Sequence, residues 1–290
     1  MGEVIAQAIA SGIGVGCIYG LIGIGFCVIY NASGIVNFAQ GAFVMLGGVV
    51  TYVAMHSWGL PLPVAAVLAI ILVAAAGVVI ERLVVRPLWD RDATMFVMIL
   101  ATLAVQIVIE RATLLLVGDQ PKSIPVFTDL PPLRFFGIAI GYQTLWIFGA
   151  SLILIVALAL FFKKTLVGRA MRACAINREA AALQGIAVSR MLALSFALSA
   201  ALGAIAGILV TPTQFTAFNV GTPFAISGFI AAIVGGFGRP FGAFLGGLTL
   251  GLAQALAVYS LGSGLKNMAA LSVLLVFLFL RPSGILGSAK

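Results

Sequence analysis

Charge is what this sequence has least of. Asp and Glu number 8 and Lys and Arg 16 in 290 residues, with one histidine, so only 8% of the chain is charged. A soluble domain carries about 25%. With 62% hydrophobic residues and a mean hydropathy of +1.22, a water-soluble enzyme, a nucleic-acid binder and a disordered chain are all excluded. Cysteine is nearly as scarce. Cys17 and Cys27 lie in an apolar run, Cys174 lies in a basic loop, and no Cys-x-x-Cys pair occurs, so three inert thiols with no disulfide or metal role are expected. His-Glu-x-x-His and Gly-x-Ser-x-Gly are absent, and no catalytic centre is expected. No Walker loop and no Gly-x-Gly-x-x-Gly after a strand is present either, so the chain is not expected to bind ATP through a Walker loop of its own.

What the chain has instead is apolar runs, at residues 4–30, 38–56, 62–80, 94–117, 142–162, 191–210, 224–237, 242–259 and 267–280. Most are long enough to cross hydrocarbon as helices. The fold expected is all-α: one polytopic membrane domain over residues 1–290 with about eight or nine transmembrane or half-spanning helices. The runs 224–237 and 242–259 are candidates for broken or half-spanning helices. The first run lacks a basic leader and is too long for a cleaved signal, so it is expected to stay as a span.

The few basic residues orient the bundle. Arg82, Arg86 and Arg91, then Lys163, Lys164, Arg169, Arg172, Arg178 and Arg190, then Arg239, then Arg281 and Lys290 fall in alternate connections. With nine crossings, the excess of Lys and Arg on the cytoplasmic side puts the N-terminus outside and the C-terminus inside. Residues 118–141, with Pro121, Pro125, Pro131 and Pro132, then form an external loop that resists continuous helix. Residues 211–223, bracketed by Pro212 and Pro223, form another. Either contacts an external partner or simply connects.

Glycine is abundant, at 34 residues. Gly12, Gly16 and Gly20 share one helix face, as do Gly203 with Gly207, Gly238 with Gly242 and Gly246, and Gly247 with Gly251. Small residues at this spacing let helices approach closely in lipid.

Ion-coupling chemistry is poorly provided for. A mid-span charge costs about 2.5–3.5 kcal/mol and is retained for a use. Glu110 and Arg111 sit near the outer end of their run and, being adjacent, face about 100° apart. Glu81 with Arg82 and His56 beside Trp58 read likewise as interfacial anchors. Asn31, Asn37 and Gln40 cluster around the turn between the first two runs, while Gln106, Gln214, Asn219 and Gln254 are scattered. These amides either pair within the bundle or give a weakly polar lining to a translocation path, for which Asn37, Gln40, Gly41, Gln214 and Asn219 are the candidates.

The connection at 163–190 is the most informative. Asn177 suits an N-cap, Glu179 complements the positive helix end, Ala180, Ala181 and Ala182 favour helix, and Gly185 suits the left-handed position after it. A helix of about eight residues is unstable alone in water and must dock. A loop that only solvated the membrane face would need neither cap nor stop.

Glu179-Ala180-Ala181, three residues, then Gly185 resembles the Glu-Ala-Ala…Gly loop of ABC importer permeases. Gly168-Arg169-Ala170-Met171-Arg172-Ala173 before it and Gly185-Ile186 after narrow the resemblance to the branched-chain amino acid permease family. Three further stretches are similar: Tyr19-Gly20-Leu21-Ile22-Gly23-Ile24-Gly25 with Ile29-Tyr30, Gly34-Ile35-Val36-Asn37-Phe38-Ala39-Gln40-Gly41-Ala42-Phe43 with Met45-Leu46-Gly47, and Arg281-Pro282-Ser283-Gly284-Ile285-Leu286-Gly287. One departure is Gln40, where the family often has histidine.

The resemblance implies a bacterial inner-membrane importer subunit with no cofactor in this chain, ATP being bound by partners. Those partners would be a second homologous permease, two cytoplasmic ABC ATPases and a periplasmic solute-binding protein. Membrane lipid would surround the assembly, and nucleic acid has no part in it. Gly168, Arg169, Arg172, Glu179, Ala180, Ala181 and Gly185 would couple the ATPases to the spans, and branched-chain or related amino acids would be the solute. The same architecture importing urea, a short amide or another small polar solute is one alternative. A stand-alone secondary transporter or channel is another, weakened by the shortage of titratable groups mid-span.

Overall fold

The computed structural model describes residues 2–135, 138–281 and 283–286. Pro282, Gly287 and Lys290 of the terminal stretch lie outside the described residues. The chain forms α1 Gly2–Ser33, α2 Gln40–His56 and α3 Leu62–Ile80, which runs on through a π turn at Glu81–Val85 into α4 Arg86–Trp89. Next come α5 Met95–Val117, a hairpin of β1 Leu133–Phe135 and β2 Ile138–Ile140, and α6 Tyr142–Lys164. Then follow α7 Leu166–Ile176, α8 Arg178–Leu183, α9 Val188–Gln214, α10 Gly221–Gly235, α11 Pro240–Leu261 and α12 Lys266–Leu280. Among the described residues, 7 helices are long and apolar enough to cross a membrane, and α2 and α10 are shorter apolar helices of 17 and 15 residues. The protein is an all-α polytopic membrane protein.

Two expectations about span length change. The run at 242–259 lies in a continuous helix of 22 residues, α11, which is long enough to cross. The short helices are α10, as expected, and also α2. At 1.5 Å per residue, 15 residues reach only about 22 Å, less than the hydrocarbon thickness.

The first helix is the axis of the bundle, with 89% of its apolar window buried. Its glycine face meets α11: a Cβ added at Gly16 would lie 2.9 Å from the Gly247 carbonyl oxygen, and one added at Gly12 would lie 2.9 Å from Ala255 Cβ. Gly247 and Gly251 answer from α11, where added Cβ atoms would strike the backbone of Gly20, Gly16 and Gly12. Gly203 and Gly207 admit Phe43 and Val44 of α2, and Gly242 and Gly246 admit α10. Gly238 is the exception. It has φ +87° in the turn before α11, so it serves the turn and not a helix face.

The expected loop at 211–223 shrinks to residues 215–220. Pro212 lies in the last turn of α9, and Pro223 lies in the first turn of α10, where a missing N–H leaves no intrahelical bond unmade. At the same end of the bundle, Lys122 and Thr216 exchange backbone hydrogen bonds of 2.7 and 2.8 Å, so the two connections pair. The 118–141 loop is also tied to α1, because the Gln7 amide exchanges hydrogen bonds with the backbone of Ala139.

The opposite end gathers the arginines. Arg86 reaches the Ser189 carbonyl at the start of α9, Asn31 donates to Gly238 O at 2.7 Å, and Ile285 N donates to Val234 O at 2.8 Å. Glu81, expected as an interfacial anchor, instead lies fully buried inside a helix that continues to Trp89. His56 fits its expectation better: it is exposed and stacks on Tyr52 with ring centroids 4.1 Å apart.

Candidate functional site

Two features of the bundle can do something other than hold it together. The first is the projection at the arginine-rich end. Residues 163–190 are not a loop with one helix but two helices in series. Thr165 caps α7: its Oγ1 accepts from Gly168 N at 2.9 Å and donates to Phe161 O at 2.7 Å. Gly168 is buried where α7 leaves α6, and a Cβ there would run into the Phe161 carbonyl. Gly168, Met171 and Cys174 face inward while Arg169 and Arg172 face out. Burial pushes the Cys174 thiol up.

Asn177 then caps α8, its Oδ1 accepting from Ala180 N at 2.9 Å. The helix stops at Gly185, φ +79°. Gly185 N donates to Ala182 O at 2.9 Å and Ile186 N to Ala181 O at 3.1 Å, the paired bonds of a Schellman stop. Cap and stop fall where the sequence placed them. Ala181 is 4% exposed and seats the helix on the bundle, while Ala180 and Ala182 face out. Arg178, Glu179, Ala180, Ala182 and Leu183 are exposed, Leu183 at 88% like Ile176 before it. Arg178 holds the other side down, its guanidinium 5.4 Å from the Trp89 ring centre. Between α4 and α8 opens a cleft of about 350 Å³, lined by Arg86, Trp89, Asp90, Asp92 and Glu179 among others.

The second feature is a polar seam through the apolar interior. Thr102, Gln106 and Glu110 recur every four residues along α5, so they form one stripe. Phe38 N donates to Thr102 Oγ1 at 3.1 Å and Ala42 N to Gln106 Oε1 at 2.6 Å. The stripe therefore satisfies backbone donors at the start of α2, which have no partners within their own helix. Gln106 Nε2 and Thr222 Oγ1, the latter at the start of α10, both donate to Glu110 Oε1 at 2.7 Å. Glu110 is thus held by hydrogen bonds rather than acting as a free interfacial anchor.

Deeper in the seam Gln40 is wholly buried. Its Nε2 donates to Ser199 O at 3.2 Å, and the Ser199 hydroxyl lies 2.6 Å from its Oε1 and 2.8 Å from Gly25 O. Gly41 touches the Gly221 carbonyl so closely that no Cβ fits, which brings the starts of α2 and α10 together. Asn37 is also wholly buried. Its Oδ1 accepts from Ala39 N at 3.1 Å, while its Nδ2 has no hydrogen-bond partner.

Of the five candidate path residues, the structure brings together Asn37, Gln40 and Gly41. Gln214 and Asn219 sit apart from them, exposed at the far end of the bundle. Thr102, Glu110, Ser199 and Thr222 were missed as members. The four-residue spacing of Thr102, Gln106 and Glu110 inside an apolar run was the available signal. Nothing in the sequence pointed to Ser199, whose partners Gly25 and Gln40 lie far away in the chain.

A family model described as "Branched-chain amino acid transport system / permease component" matches residues 8–280. The chain belongs to this permease family. BraD of Pseudomonas aeruginosa, a high-affinity branched-chain amino acid transport system permease protein, is 35% identical across 97% of this chain and 95% of its own. LivH of Escherichia coli, described in the same words, is 32% identical across 97% and 95%. A more distant relative is the ribose import permease protein RbsC of Haemophilus influenzae, 27% identical across 88% of this chain and 79% of its own. Among solved structures, a chain of PsaBC from Streptococcus pneumoniae in complex with a Fab matches with a TM-score of 0.53 at 13% identity, covering 96% of this chain and 92% of that one. That likeness speaks to the fold alone. As a permease component, the chain gives its two features distinct places: an exposed projection at one end and a polar seam within.

Proposed function

We propose that this chain is the membrane-spanning permease subunit of an ATP-binding-cassette importer for branched-chain amino acids. It sits in a bacterial inner membrane with α7 and α8 in the cytoplasm and the N-terminus outside. It works with a second homologous permease, two cytoplasmic ATPases that bind the ATP, and a periplasmic solute-binding protein. The family and the relatives' names support the class and the solute, and the arginine-rich end supports the orientation. The observation that carries the coupling role is the capped, stopped helix α8 with Leu183 almost fully exposed. A helix of 6 residues has no stability of its own in water, so its local bonds and its seat at Ala181 hold it in shape for a partner.

Force applied at Glu179, Ala180 and Gly185 reaches the spans by short routes. Through Thr165 and Gly168 it reaches the end of α6. Through Arg178 on Trp89 and Arg86 on Ser189 it reaches α4 and α9. Arg169 and Arg172 offer positive charge on the same side. Bundles packed through glycine faces respond to such force as rigid bodies that slide. Reconstitution tests this: proteoliposomes holding the full set of subunits should take up leucine only with ATP inside and binding protein outside. Uptake by this chain alone, driven by a solute gradient, would show a stand-alone carrier.

A further inference from the structure

Glu110 lies within the membrane-spanning α5 and is only half-buried. Its Oε1 takes both donors, Gln106 and Thr222. Its Oε2 has no hydrogen-bond partner among the described residues, and the one ion pair found among them joins Arg86 to Glu81. Arg111, its neighbour, faces a different direction on the helix. A glutamine would accept the same two hydrogen bonds without placing a charge at membrane depth, so bundle packing alone does not account for a carboxylate here. The arrangement fixes one oxygen and leaves the other open.

The helix faces that carry Glu110 and its donor Thr222 are open and largely apolar. Ile107, one turn before Glu110 on α5, is 56% exposed, and Ile226, one turn after Thr222 on α10, is 47% exposed. Thr222 is itself exposed, and Asn219 continues the exposed polar edge toward the end of the bundle. On the other side the seam is sealed, for Gln106, Gln40 and Asn37 are all buried. Glu110 is thus the half-buried member at the open end of a seam whose other amides are buried.

Resting on the permease reading above, we propose that Glu110 receives the ammonium group of the amino acid in transit, with Ile107 and Ile226 flanking its branched side chain. A carboxylate with one oxygen unpaired, on helix faces that also expose Ile107 and Ile226, matches a cationic group on an otherwise apolar solute, and a neutral solute such as urea gives it nothing to pair with.

The test uses the complete reconstituted transporter and radiolabelled leucine. Glu110→Gln retains an oxygen to accept from Thr222 and Gln106 but removes the charge. It is expected to lower the uptake rate about tenfold or more, as the loss of a charge-assisted hydrogen bond would. Glu110→Asp should recover part of that rate. Thr222→Val, which removes a support and keeps the charge, should lose less than Glu110→Gln. Co-purification of all subunits and an unchanged unfolding midpoint for Glu110→Gln would show that the loss is not structural. Wild-type uptake by Glu110→Gln would overturn the proposal. So would separation of the two permeases in that variant, since the carboxylate would then belong to their interface. If the wild-type assembly, complete and supplied with ATP, takes up no leucine, the permease reading and this inference both fall.

Discussion

Arg86 grips Glu81 with two hydrogen bonds, Nε to Oε1 at 2.9 Å and a terminal nitrogen to Oε2 at 3.2 Å, across the five-residue π turn that joins α3 to α4. The extra residue in that turn lets positions five apart share a face, where an α-helix would align positions three or four apart. Glu81 is fully buried and Arg86 partly so, and Arg86 also donates to Ser189 O at 3.1 Å. Replacing Arg86 with Met would leave an uncompensated buried carboxylate. A destabilisation of about 3 kcal/mol or more is expected, read as a lower unfolding midpoint in detergent. Glu81→Gln in the Arg86→Met background should recover much of it, because the stranded charge is then gone. A double variant no more stable than the single would refute this account.

The contact between α1 and α11 is narrower still. Gly247→Leu would drive a side chain into the backbone of Gly20 and Gly16, and that backbone belongs to the most buried helix in the bundle, so nothing nearby can yield. Loss of folded protein, measured as monodisperse material after detergent extraction, is the expected outcome. Gly149→Leu serves as the control, since a Cβ there meets nothing within 4 Å, and it should extract normally.

Much of this bundle was legible in the sequence because its signals are local. Apolar runs gave the membrane helices to within a few residues at each end, with Leu62–Ile80 matching throughout. Asn177 and Gly185 marked both ends of α8 through conformational preferences that need no distant partner. The errors share a cause. Pro212 and Pro223 were read as loop brackets, but Pro223 falls in the first turn of α10, where its missing N–H leaves no bond unmade, and Pro212 sits near the end of α9, where it forgoes one intrahelical bond without ending the helix until Gln214. Glu81 was read as a helix end because its partner Arg86 becomes a neighbour only through the π turn. Ser199 meets Gln40 across 159 positions, and no local pattern encodes such a pairing. The first half of 163–190 was missed although Thr165 and the inward Gly168, Met171 and Cys174 carry a cap and a buried face.

The projection gives a prediction that separates docking from folding. Leu183→Asp changes a side chain that touches little of its own chain, so expression and unfolding midpoint should stay within the range of surface changes, about 0.5 kcal/mol. Association with the ATPase subunits should fall, measured by co-purification. Glu179→Lys and Gly185→Leu are expected to impair ATP-coupled uptake while the protein still inserts, the latter because leucine is strained at φ +79°. Asn177→Ala should have a milder effect, about 1 kcal/mol from the lost cap. Full ATPase binding by Leu183→Asp would move the docking site elsewhere.

The Gln40–Ser199 pair allows the path assignment to be tested apart from stability. Ser199→Val deletes the hydroxyl 2.6 Å from Gln40 Oε1 and leaves a buried acceptor unmatched, a cost of about 1–3 kcal/mol. Adding Gln40→Leu removes that acceptor too, so the double variant should be more stable than the sum of the singles implies. Stability and transport then part company. If Gln40 lies on the route of the solute, the folded double variant should still fail to take up leucine in the complete assembly, since an apolar plug has replaced an amide at the sealed end of the seam. If it transports as well as wild type, Gln40 and Ser199 are packing groups, and the route runs along another face of the bundle.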